Sequence, residues 1–141
     1  MDQTEKLLHE AYKTSKMGGQ AIGTILPKTE NRELRALLLG HLASYEDLTE
    51  RIAEELKKCG EEPKENLLSE ATSSLAIQFK AGMDKETTNL AEMLMNGAVM
   101  GIVESMRAKR IYPEASAVAQ EINGQTLSLC QTVFDDMKPF L

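Results

Sequence analysis

The chain has no tryptophan, and aromatic residues make up only 4% of its 141 positions. Leu, Ala, Met, Glu and Lys dominate instead, and these are strong helix formers. Cysteine is equally scarce. Cys59 and Cys130 stand far apart, with no CxxC and no ligand-like spacing. That excludes a disulfide framework, and it reads as two reduced thiols in a cytosolic protein. No run approaches the ~18 consecutive apolar residues of a membrane span. The opening MDQTEKLLHE is too acidic and polar for a signal peptide. Basic charge is also lacking: 16 Lys and Arg against 22 Asp and Glu give a net charge of −6. That sign opposes binding to nucleic acid or to anionic lipid. There is no Gly-x-Ser-x-Gly setting for a serine nucleophile and no Gly-rich phosphate loop.

Proline occurs only as Pro27, Pro63, Pro113 and Pro139, each where a helix should start or stop. Between them the apolar residues recur at steps of three and four. A first helix is predicted over 3–26, with Asp2 as N-cap and Glu5 completing a capping box. Its Ala11, Ser15 and Gly18 are small enough for a neighbouring helix to come close. A second helix is predicted over 32–58, capped by Asn31, with Leu34, Leu38, His41, Tyr45, Leu48, Ile52 and Leu56 on its buried stripe. Gly60 supplies the left-handed residue that ends it. Leu68, Ala71, Leu75 and Phe79 then predict a short amphipathic helix over 67–82.

The third long helix, over 85–110, is apolar nearly all round, so it is expected to be covered on more than one side. Either the short crossover helix covers its outer face or a second subunit does. Gly97 and Gly101, with Met100, mark a flat strip for close helix contact or for a homodimer seam. The fourth helix is expected over 114–138, with Pro113 at its first position. Short, long, short connections favour two antiparallel hairpins joined by an end-to-end crossover. The fold class is therefore an all-α antiparallel four-helix bundle in a single domain.

The stretch NRELRALLLGHLASYEDLTERIAEELKKCGEEP, a crossover helix, and DKETTNLAEMLMNGAVMGIVESM together resemble a family of small bacterial ferritin-like proteins of unknown function. The resemblance implies a ferritin-like bundle. Metal-binding ferritin-like proteins use a Glu on two helices and Glu-x-x-His on the other two. This chain has no Glu-x-x-His, and its histidines are His9 and His41 alone.

Loop arithmetic sets His41 opposite about residue 16, and Asn96 opposite about residue 127, which predicts a polar layer at mid-bundle. Two readings of that layer follow. One is a metal or small-ligand pocket using His41 and Tyr45 with Glu46, Glu92 or Glu121, holding iron or manganese. The other is a set of buried polar groups that satisfy one another and fix helix register. One histidine is too few for a typical iron, copper or zinc centre, which favours the second. Met83, Met93, Met95, Met100 and Met106 could suggest soft-metal binding or a promiscuous peptide groove, but no methionine repeat is organised with His or Cys, so they read as core and interface packing. Cys59, at an electronegative helix end, is disfavoured as a thiolate. The functional expectation is a non-enzymatic ferritin-like bundle serving as a binding or structural module, in dimeric form if the third helix pairs. The alternative is a metal- or oxygen-handling bundle with a nonstandard site near His41.

Overall fold

The computed structural model describes residues 2–63 and 85–141. The predicted crossover helix over 67–82 lies outside the described residues. Four long helices account for most of the rest: α1 (Gln3–Ile25), α2 (Arg32–Lys58), α3 (Thr87–Ile111) and α4 (Ala117–Met137). No strand occurs among the described residues.

Each start and stop has a local cause. Asp2 Oδ1 accepts from the Glu5 N–H at 2.9 Å, and the Asp2 N–H donates to Glu5 Oε2 at 3.2 Å, which completes the capping box of α1. Asn31 Oδ1 accepts from the Leu34 N–H at 3.0 Å and opens α2. At the other end of α2, Gly60 has φ 78°, the Gly60 N–H donates to the Lys57 carbonyl, and the Glu61 N–H donates to the Leu56 carbonyl. This is a Schellman closure, and it needs the residue without a Cβ.

The start of the fourth helix differs from the expectation. α4 begins at Ala117, three residues beyond 114. Ser116 provides the capping oxygen, accepting from the Ala119 N–H at 3.2 Å, whereas Tyr112 has no group to cap with. Pro113 instead lies in a turn that is tied to the start of α1. There the Glu114 N–H donates to Gln3 Oε1 at 2.7 Å, and the Ser116 N–H donates to Thr4 Oγ1 at 2.8 Å. The start of α3 also shifts, from 85 to Thr87, behind an extended Glu86.

Two apolar clusters fix the directions of the helices. One joins the end of α1 (Ile22, Ile25), the starts of α2 (Leu34, Leu38) and α3 (Leu90, Leu94), and the end of α4 (Val133, Met137). The other joins the start of α1 (Leu7, Leu8, Ala11), the end of α2 (Ile52, Leu56), Ala108 near the end of α3, and the start of α4 (Ala119, Ile122). So α1 and α4 run one way, and α2 and α3 run the other. α1 packs on α2 and α3, and α4 packs on the same two helices. α2 therefore ends at one end of the bundle and α3 starts at the other. Residues with 0% exposure, such as Leu7, Ile25, Leu34, Leu38, Ile52 and Ile122, carry the stability. Each contributes about 1.5–3 kcal/mol by leaving water.

Candidate functional site

A polar belt separates the two apolar clusters. Ser15 on α1 is fully buried. Its hydroxyl donates to the Tyr12 carbonyl at 3.1 Å and lies 2.9 Å from the Thr49 hydroxyl of α2. Thr126 on α4 donates to the Ile122 carbonyl of its own helix at 2.9 Å. Between α3 and α4, Asn123 Nδ2 donates to the Ser105 carbonyl at 3.0 Å. Tyr45 crosses the bundle, with its hydroxyl 3.5 Å from the Cys130 Sγ of α4.

Burial pushes the Tyr45 phenol strongly up, and the neighbouring Cys130 adds to the shift. Burial likewise pushes the Cys130 thiol up, while the Tyr45 hydrogen bond pulls it part of the way back. Both shifts favour the neutral forms, and a thiol held protonated is a weaker nucleophile. Cys59 is also pushed up, first by its partial burial and then by the carboxylates of Glu5, Asp2, Glu55 and Glu61.

The expected partners across the first hairpin are displaced. Ser15 meets Thr49, and Gly18 meets Tyr45, whereas His41 was expected opposite about residue 16. The chain between α1 and α2 explains the offset. Residues 29–31 are not helical, and Thr29 and Asn31 are extended. Residue 16 of α1 therefore lies opposite about residue 48 of α2, between the Ser15–Thr49 and Gly18–Tyr45 contacts. His41 lies nearer the C-terminal end of α1 and reaches α4, where its Nε2 lies 2.9 Å from Asp136 Oδ2. Asn96 does not join the belt either. It is exposed, on the α1 side of α3.

The carboxylates considered with His41 are scattered. Glu46 lines a shallow groove between α1 and α2. Glu92 is exposed on α3. Glu121 faces Arg51, at 3.7 Å. Among the described residues no three His, Cys, Asp or Glu side chains gather as a metal would require. His41 and Asp136 form a pair, and Asp136 was invisible to reasoning along one helix. His9 lies at the far end of the bundle, 3.8 Å from the Glu61 carboxylate.

A groove of about 460 Å³ lies between α1 and α3, and the groove between α1 and α2 has the same volume. Small residues create the α1/α3 groove. Gly18 and Ala21 on α1 face Gly97, Ala98 and Gly101 on α3, and Tyr45 and Cys130 form the floor. Gly101 is filled by its neighbours: a Cβ there would sit 2.7 Å from Cys130 Sγ and 3.2 Å from Thr14 Cγ2. Gly97 is open, with nothing within 4 Å of an added Cβ. Met93 and Met100 flank the groove, and Glu10, Lys13 and Glu104 stand at its edges. So Gly97, Met100 and Gly101 meet in one place, and that place is the wall of this groove.

No family model, no curated protein and no solved structure matches the chain. The site is therefore read from its own chemistry. It offers apolar surface, adaptable methionines and a neutral Tyr–Cys floor, with charge confined to the edges.

Proposed function

We propose that the chain is a non-enzymatic helical bundle of ferritin-like plan, acting in the cytoplasm as a binding module for a small, mainly apolar molecule. The α1/α3 groove carries this reading. Its volume of about 460 Å³ falls in the range of about 300–1,000 Å³ common for small-molecule sites. Its walls are apolar, and methionine fits ligands of varied shape. Both cysteines and the floor tyrosine are held neutral, which argues for holding a molecule and against attacking one. Two antiparallel hairpins, with α2 ending at one end of the bundle and α3 starting at the other, support the ferritin-like plan.

The test is thermal denaturation of the full chain with indole or decanoate as probe. A ligand held at a hundred times its dissociation constant stabilises the fold by about 2.7 kcal/mol. At least one probe raises the midpoint of the wild type, and Gly97→Phe, which fills the open wall, abolishes the rise. If neither probe shifts the midpoint, or Gly97→Phe responds as the wild type does, the groove is not a binding site.

A further inference from the structure

Along α3, Glu92, Asn96, Val99, Val103, Met106 and Arg110 follow one another at steps of four, three, four, three and four. This spacing keeps side chains on one seam between two packed helices. All six are exposed, and Val99, Val103 and Met106 are 41%, 44% and 53% so. Glu92 and Arg110 form no ion pair among the described residues. The two lie about five turns apart, near 27 Å along the helix, and so point the same way.

The series has the same spacing read from either end, with its midpoint at Gly101. We propose that a second copy of this chain docks on this face, antiparallel, about a two-fold axis at the level of Gly101. In such an isologous contact each pairing occurs twice. Glu92 then faces the partner's Arg110, Val99 faces the partner's Val103, and Asn96 faces the partner's Met106. The apolar residues fall at the centre and the opposite charges at the two ends. A parallel pairing would set Glu92 against the partner's Glu92 and Arg110 against the partner's Arg110. Like charges facing each other disfavour that arrangement relative to the antiparallel one. Met100, 62% exposed, borders the seam on the side of the ligand groove, and Asn96 lines both seam and groove. The interface does not depend on that groove holding a ligand.

Sedimentation equilibrium of the full chain at micromolar concentration tests the proposal. The wild type should show about twice 15.6 kDa. Val103→Glu should be monomeric with an unchanged helical circular dichroism spectrum, because its position is open to solvent in the single chain. Glu92→Arg and Arg110→Glu should each weaken the dimer about tenfold, since each replaces two attractive pairs by two repulsive ones. The double variant Glu92→Arg/Arg110→Glu should return to within about threefold of the wild type. A monomeric wild type overturns the proposal, and Met106 resisting oxidation in that monomer would assign the face to residues 64–84 instead. A dimer indifferent to Val103→Glu, or a double variant no tighter than the singles, also overturns it.

Discussion

Gly18 on α1 lies flat against the ring of Tyr45 on α2, so close that a Cβ at position 18 would stand 2.5 Å from both Cε1 and Cζ. The ring cannot easily move away, because Tyr45 is 3% exposed and its hydroxyl reaches Cys130. Gly18 therefore sets how near α1 and α2 can approach at mid-bundle, and Tyr45 can floor the α1/α3 groove because Gly18 leaves it room.

Gly18→Ala should destabilise the fold by a net of about 1–2 kcal/mol. Overpacking costs about 1–3 kcal/mol, and removing a helical glycine returns up to about 1 kcal/mol. Urea unfolding measures the difference. In a Tyr45→Leu background the same change should become neutral or stabilising, because the clashing ring is gone. The coupling between the two sites is then at least about 1 kcal/mol. Equal effects of Gly18→Ala in both backgrounds would contradict the packing described.

Alkaline pH should weaken the fold through Cys130 and Tyr45. Burial raises both groups in the folded chain. Below the ordinary cysteine value of about 8.5 both are protonated in both states, and they contribute no slope. Above it the unfolded chain releases the Cys130 proton while the folded chain keeps it, so stability falls as pH rises. The limiting slope is about 1.4 kcal/mol per pH unit for each proton held. Tyr45 adds a second slope above its ordinary value of about 10. Urea unfolding between pH 7 and 10.5 checks this in a Cys59→Ser background, which removes the other thiol that is pushed up. Cys130→Ala should flatten the first part of the decline, and an unchanged profile would contradict the assignment.

Ser105 should be dispensable for stability. Its hydroxyl is buried between α3 and α4 without a partner among the described residues, as is Asn123 Oδ1. A buried polar group left unpaired costs about 1–3 kcal/mol. Ser105→Ala removes one such group and also improves helix propensity. Thermal denaturation should show a gain of about 1 kcal/mol, against the loss expected for most buried substitutions.

The local signals in the sequence were strong where one residue decides an outcome. Asp2, Asn31 and Gly60 cap as their side chains dictate, and the three-and-four spacing identifies Leu34, Leu38, Ile52 and Leu56 as core. Pro113 misled because a proline at a helix start and a proline in the preceding turn look alike, and only Ser116 has the oxygen that caps. The belt was foreseen in kind but not in membership. Its pairing depends on the non-helical residues 29–31 between α1 and α2, and nothing in a helical pattern measures the register they set. Gly97 and Gly101 stood out as small residues, but whether neighbours fill the space beside each is settled only by packing. Here Cys130 and Thr14 fill one and leave the other open.

The reading of the chain as a binding module, and not a metal centre, is tested most directly by metal analysis of protein purified without chelators. The account predicts iron and manganese far below one atom per chain, unchanged in His41→Ala. That variant should lose only about 1 kcal/mol of stability, because the Asp136 carboxylate, 2.9 Å from His41, is 35% exposed and water can take the lost partner's place. A stoichiometric metal that disappears with His41→Ala would contradict the account.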